Sequence, residues 1–294
     1  MNLRTLLFIL ILPVCAAAQG RPGAPDKITL NSEFSGRDGF DSRSAGFDSS
    51  FGLGRLGGYA FTANATAAHH RTWSSGWFPG EVYDTALKLN ARSRKWSFGA
   101  GVRSNSDRPL NSPSETDLSL DASVPLSRRG PHSFTLILAY SSRRSFLRNI
   151  PLPFIAYSYV SNDLTFFLPF ALNWRISDKT NLAASYFPPK YFSVSLSRML
   201  LRGVTLAAYG GHELDQYLLA GRPDKDYALY LERPYAGLRT TLRLASGYEL
   251  SVYGEQGFKG RGFFGTRYDD RNSKASIGAG AAAGVSLKKK FGQF

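Results

Sequence analysis

Cysteine is nearly absent. The single cysteine of the 294-residue sequence, Cys15, lies within the first 18 residues, so the rest of the chain can carry no disulfide framework, thiol chemistry or cysteine metal site. Long apolar runs are missing too. The longest, residues 6–14, is too short to cross a bilayer as a helix, and a helical membrane protein is excluded. No segment shows a convincing 3.6-residue apolar period, which removes helical bundles from consideration. Charge is sparse on the apolar parities described below, except near strand ends at Arg94, Arg198 and Lys289.

What is present begins with MNLRTLLFILILPVCAAAQG. A basic Arg4, an apolar run and Ala16-Ala17-Ala18 predict a secretory signal peptide over residues 1–18. Cys15 is not read as a lipid-attachment site, because Val14 stands where a small residue is needed. The formal charge is +14; removing Arg4 with the signal leaves +13. An exported basic chain points to acidic lipid head groups or anionic solutes rather than to nucleic acid.

The most legible segment is LTFFLPFALNWRI, residues 164–176. Every second residue is apolar: Leu164, Phe166, Leu168, Phe170, Leu172, Trp174 and Ile176. The same period of two returns in Tyr59–Ala67, Tyr83–Ala91, Trp96–Val102, Leu118–Leu126, Phe134–Tyr140, Phe192–Leu196, Val204–Ala208, Leu238–Leu244 and Ile277–Leu287. Alternation of this kind is the strand signal. It predicts an all-β chain of about twelve antiparallel strands (range 10–14) in an up-and-down transmembrane barrel, at residues 56–70, 81–92, 95–103, 115–127, 131–143, 163–176, 180–187, 190–201, 204–211, 227–244, 248–258 and 274–291. Short connections such as 92–95, 127–130, 177–179, 202–203 and 245–247 alternate with longer polar ones at 104–114, 144–162, 212–226 and 259–273. Short turns on one rim and longer loops on the other are the form of a transmembrane barrel. Residues 19–55, rich in Gly, Ser and Asp, are read as an extra strand, a plug or a flexible arm before a barrel over 56–294. Pro169 sits on the inward parity of the expected strand 163–176. Proline removes a ladder donor, so a bulge or a broken ladder is predicted there.

A soluble sandwich or barrel would alternate as well. The aromatics Tyr59, Tyr83, Trp96, Tyr140, Trp174, Tyr186 and Phe192, toward the ends of the apolar faces, instead match interfacial girdles. Together with the export signal and a chain ending at Phe294, these patterns resemble Gram-negative outer-membrane β-barrel proteins, and most of all the barrels of uncharacterised function. The resemblance implies an outer-membrane location, lipid neighbours and recognition of the C-terminal strand by the barrel-assembly machinery. Phe294 departs from the parity shared by Ala283, Val285, Leu287 and Phe291.

No catalytic centre, cofactor or metal site is assigned. His132-Ser133-Phe134 and His69-His70-Arg71-Thr72 do not match the His-x-Ser-Asn motif of outer-membrane phospholipases. The acids of His212-Glu213-Leu214-Asp215 and Asp269-Asp270 are read chiefly as solvated loop groups or as partners of Arg267 and Arg271. The lumen-lining candidates are Arg175, Arg239, Arg243, Asp84, Lys88, Asp117 and Asp121, which either tune the selectivity of a pore or pair across a filled lumen. Basic clusters at Arg92/Arg94/Lys95, Arg128/Arg129 and Lys288-Lys289-Lys290 are expected against phospholipid head groups. The function expected is passive passage of small solutes, anions favoured. The alternatives are a barrel enzyme (lipid hydrolase or protease) and a closed structural or adhesive barrel.

Overall fold

The computed structural model describes residues 26–291, apart from 75, 145–146, 169–170 and 188–190. The signal-like segment, Pro169 and Phe294 lie outside the described residues. The strands are β1 (Lys27–Arg37), β2 (Phe40–Leu56), β3 (Tyr59–Ser74), β4 (Glu81–Arg92), β5 (Ser97–Ser106), β6 (Asp117–Arg129), β7 (His132–Ser141), β8 (Leu152–Val160), β9 (Leu164–Leu168), β10 (Ala171–Ser177), β11 (Thr180–Phe187), β12 (Tyr191–Leu201), β13 (Val204–Tyr217), β14 (Ala228–Arg243), β15 (Tyr248–Gly257), β16 (Gly260–Gly265), β17 (Asn272–Ile277) and β18 (Gly280–Lys290). Strands β1 to β15 pair in succession, and β18 pairs antiparallel with both β15 and β1. The result is a closed barrel of sixteen strands. The β16–β17 hairpin stands outside this ring, extending from the Ala228–Glu232 end of β14.

The strand count of about twelve is therefore corrected to sixteen. Two of the added strands, β1 and β2, come from the segment before residue 56, and a third, β8, from the expected loop 144–162. The fourth comes from residues 163–176, which form a hairpin rather than one strand. Phe167 pairs with Ala171, Phe166 with Leu172 and Leu164 with Trp174, so the chain reverses between Leu168 and Ala171.

The two sides of the wall are inverted relative to a soluble protein. Leu118 and Leu120 are 56% and 57% exposed, while Asp117, Ser119 and Asp121 occupy the other face of the same strand. Exposed Leu87, Leu89, Leu136, Leu138, Leu196, Leu238 and Val252 continue the belt around the ring. A soluble monomer rarely exposes a contiguous apolar surface of this size, and a bilayer is the medium that covers it. Closure supplies the other requirement, since lipid offers no partner to a free strand edge. The short turns after β2, β4, β6, β8, β10, β12 and β14 share one rim with both ends of the described chain, the periplasmic side in barrels of this build.

The opposite mouth is roofed. Strands β5 and β13 stand eight places apart in the ring of sixteen, on opposite walls, yet they bond directly. The Asn105 side-chain amide donates to the Gln216 carbonyl (3.0 Å), and the Leu218 N–H donates to the Asn105 carbonyl (2.7 Å). The Ala220 N–H donates to the Asp107 carboxylate (2.7 Å) and Arg222 Nη2 to the Ser114 carbonyl (2.6 Å). Arg222 also meets Glu115 at 3.5 Å, with both side chains essentially buried, and Lys225 approaches the same carboxylate at 3.6 Å. Beneath this latch lies a small core in which Phe78 stands edge-on to both Phe40 and Tyr217, beside Val82, Leu229, Leu231 and Ile277.

Burial opposes ionisation of Glu115, but the Ser112 and Ser114 hydroxyls and the charges of Lys225 and Arg222 outweigh it and hold the carboxyl below its ordinary 4.5. A carboxyl depressed by folding stabilises fully above its unfolded value and loses that contribution as pH falls through its folded value. A nitroxide placed by Gly221→Cys should accordingly be immobile from neutral pH down to about 4.5 and gain mobility below it. Glu115→Ala, which leaves Arg222 buried without its acid, should free the label at neutral pH at a cost of about 3–5 kcal/mol. Electron paramagnetic resonance line shapes would measure both.

Candidate functional site

Below the roof, inward side chains of β1–β3 and β12–β15 surround a chamber of 430 Å³. Register explains the convergence. Glu33 pairs with Gly284, which pairs with Tyr253, which pairs with Arg239, so these residues share one inward ladder. Arg233 pairs with Glu213 on the ladder nearer the roof. Glycine makes room for the largest groups. A Cβ at Gly284 would collide with the Tyr253 ring, and one at Gly257 with the Arg37 guanidinium. Each large side chain can thus lie flat along the wall instead of blocking the lumen.

The charges form a linked set. Arg233 Nη2 donates to Asp215 (2.5 Å) and to Glu213 (3.4 Å). Arg37 faces Glu255 at 3.9 Å. The Tyr253 hydroxyl donates to Glu33, and the Tyr209 hydroxyl to Glu255 (3.4 Å). Arg239 lies over the rings of Tyr209 (4.8 Å) and Tyr253 (5.4 Å), a favourable seat for a guanidinium. His70 completes the lining. Among the described residues, Nη1 of Arg37 and Nε of Arg233 are buried without an acceptor. Such donors are costly to leave unmet, and they mark where a polar solute or an anion can bind.

The seven residues expected in the lumen are distributed as follows. Arg239 lies in the chamber. Asp84 takes two bonds from Arg103 (3.1 and 2.8 Å), and Lys88 meets Asp121 at 2.5 Å, along the β4–β6 wall. Asp117 accepts from the hydroxyls of Ser141 and Ser142 and from the Arg143 N–H (2.9 Å), holding the end of β7. Arg175 and Arg243 are at the short-turn rim, the first on Asp163 (2.7 Å) and the second near Glu249 (3.8 Å). The structure thus joins Arg239 to residues not singled out from sequence: Glu33, Arg37, Arg233 and Glu255. Their signal was parity. In KITLNSEF, Ile28, Leu30 and Phe34 alternate with Thr29, Asn31 and Glu33. The same alternation carries β13 to Tyr217, so Glu213 and Asp215 belong to a strand and not to a loop.

The remaining candidates are occupied elsewhere. Asp270 accepts from the Thr266 N–H and hydroxyl, and Asp269 approaches Arg267 at 3.4 Å. His132 Nδ1 is 2.7 Å from the Tyr157 hydroxyl, and His69 stacks on Tyr83. A second cavity, of 800 Å³, opens at the short-turn rim. Arg92, Arg94 and Arg128 line it together with Trp96, Ile137 and Phe167, and among the described residues no acid does.

Replacing Arg233 with Leu should destabilise the barrel by about 3–5 kcal/mol, because Glu213 and Asp215 lose their shared cation. The temperature at which the folded band disappears from unboiled gels should fall. The double change Arg233→Leu with Asp215→Leu should recover part of the loss.

No protein-family model matches the sequence, and no curated protein matches it. Among solved structures, an outer membrane channel from Pseudomonas putida F1 is 12% identical, with a TM-score of 0.41 over 93% of this chain and 98% of that one. OccK5 of Pseudomonas aeruginosa is 11% identical, with a TM-score of 0.37 over 92% and 99%. A mutant porin of Rh. blastica is 10% identical, with a TM-score of 0.32 over 91% and 99%. The class assignment comes from the chain's own geometry. A closed antiparallel ring that is apolar outside and polar inside satisfies every backbone group within lipid. The chain has the architecture of a transmembrane β-barrel.

Proposed function

We propose that the chain is a passive, narrow passage for small anionic solutes across the outer membrane, and not an enzyme. The carrying observation is the arginine set along the lumen. Arg37, Arg233 and Arg239 stand around the chamber, two of them with buried donors that meet no acceptor among the described residues. The cavity at the short-turn rim is lined by Arg92, Arg94 and Arg128, with no acid among the described residues. The chamber itself is balanced, since Glu33, Glu213 and Glu255 face its three arginines. The anion preference therefore originates at the basic rim and is refined by open donors deeper in. Charged rings of one sign select ions in this way. The outer lipids act as solvent for the belt.

Reconstituted in a planar bilayer under a salt gradient, the protein should conduct with a reversal potential on the anion side. Arg239→Glu should move that potential toward cations, and Glu115→Gln with Arg222→Gln should raise conductance by loosening the roof. Conductance no greater than background, in both wild type and the loosened variant, would refute the passage reading.

A further inference from the structure

Two arginines stand on the outward face of the wall, away from the short-turn rim. The register of β1–β4 sets Phe34, Arg43, Arg71 and Glu81 side by side on one outward ladder. Trp73 is one outward place above Arg71 and His69 one below. Arg43, Arg71 and Trp73 are all exposed. Height explains what they meet. Arg71 follows the outward Phe61 by ten residues. At a rise of about 3.4 Å per residue and a tilt of about 40°, that is a climb of about 26 Å, against an apolar band about 25 Å tall. Both arginines therefore lie at the far boundary of the hydrocarbon, at the level of lipid head groups.

Arg43 pairs directly with Arg71, and like charges directly opposite each other destabilise a strand pair. Two acids share this face, and both are turned elsewhere. Glu81 is directly opposite Arg71, yet its carboxylate accepts from the Tyr83 hydroxyl (3.2 Å) and lies 3.8 Å from His69 Nε2. Asp41 accepts from the Arg37 N–H (3.1 Å). Among the described residues, neither guanidinium has a carboxylate within ion-pair distance. Aromatic rings hold them instead. Arg43 lies over Phe34 (5.4 Å) and Trp73 (5.6 Å), and Arg71 over Trp73 (5.5 Å). Stacking of this kind fixes the plane of a guanidinium and leaves its N–H edges open, the edges that match a phosphate two bonds at a time.

Beside the arginines the wall is hollowed. A groove of 580 Å³ begins at Arg43, Arg71 and His69 and crosses the outward face of β2, β1 and β18 to β15. Past Phe34 its outward lining is Ala45, Ala283, Val285 and Val252, with Ser32 among them. The path follows the register: Ala45 pairs with Ser32, Ser32 with Val285, and Val285 with Val252. From β3 to β15 it spans four strand spacings of about 4.8 Å, or about 19 Å, longer than half of a hydrocarbon core about 30 Å thick. Glu33 and Tyr253 also border it, and these are bonded to each other on the lumen parity. A basic end at head-group level and an apolar run one ladder deeper match the polarity and length of a single lipid.

We propose that this face of β1–β3 is a binding site for one anionic, phosphate-bearing lipid of the leaflet remote from the short turns. Its phosphate rests on Arg43 and Arg71, and an acyl chain follows the groove over the β1–β18 seam. The phosphate supplies the counter-charge that the paired arginines lack, and the chain covers the seam that closes the ring. The site faces away from the lumen and is independent of the passage reading.

The test uses full-length protein folded in dodecyl maltoside micelles, with each variant's folding checked by the shift on unboiled gels. Native mass spectrometry should show one dioleoyl phosphatidic acid bound at least roughly tenfold more tightly than dioleoyl phosphatidylcholine. Arg43→Gln with Arg71→Gln should remove this tightest binding event. Val285→Trp fills the groove and keeps both arginines; it should also weaken the event, and it serves where the double variant does not fold. A phosphatidic acid with a diazirine at the end of one acyl chain should label β15 and β18 in the wild type and lose that labelling in the variants. Inorganic phosphate should not displace the lipid. Equal binding of the two lipids, or an undiminished tightest event in the double variant, would overturn the phosphate site. Unchanged binding in Val285→Trp, or labelling spread evenly around the ring, would overturn the groove. Displacement by inorganic phosphate would give the arginines to a free anion and overturn the lipid.

Discussion

Everything in this structure depends on one constraint: inside hydrocarbon, a backbone N–H or C=O finds a partner in the protein or none at all. Ring closure answers it, and closure here is made by the two ends of the described chain. All eleven residues of β1 pair with β18. The seam continues past both strands, where the Phe291 N–H donates to the Asp26 carbonyl (2.8 Å) and the Asp26 carboxylate accepts from the Gly52 N–H (2.7 Å). The seam is the most non-local pairing in the fold. Loop-closure entropy has to be met before it forms, which makes it a late event in assembly and places the chain ends together at the short-turn rim.

Once the wall is closed, polarity inside follows from the period of two. Each apolar residue given to lipid places its neighbours in the lumen. Those neighbours are charged in matched sets: Asp84 with Arg103, Lys88 with Asp121, and Arg233 with Glu213 and Asp215. Matching keeps the interior from accumulating a field that would oppose closure. The match fails in one direction only, toward excess guanidinium at the short-turn rim and unmet guanidinium donors in the chamber. That asymmetry is the observation on which the proposed anion passage rests.

The belt, the all-β class and the inward face were legible in the sequence because period two is a local property. The strand count was not, and the reason is geometric. In the β9–β10 hairpin, residues that face each other sum to an even number, as Phe166 with Leu172 and Leu164 with Trp174 do. That register preserves parity, so LTFFLPFALNWRI alternates without interruption through a reversal of direction. In β8 the inward Phe154 and the prolines at 151 and 153 break alternation, and a real strand reads as loop. In β1 and β2 the outward face is diluted by Ser, Gly and Arg43. The chamber was hidden for another reason: Glu33, Arg37, Glu213 and Arg233 are brought together by register across a closed ring, and no window of sequence contains that register.

The roof and the charged lumen are two halves of one arrangement. A ring of sixteen strands encloses far more than a ring of eight, whose side chains alone fill the interior. Here the space is divided by height. The upper part is taken by the β13–β14 extension, bound across the mouth to β5–β6 and held by a buried Glu115–Arg222 pair. The middle is taken by Tyr209, Tyr253 and the arginines. The lower part stays open as the basic cavity. Closing the mouth from opposite walls costs a wide ring its symmetry, and the buried ion pair is what fastens the two walls where no strand pairing joins them.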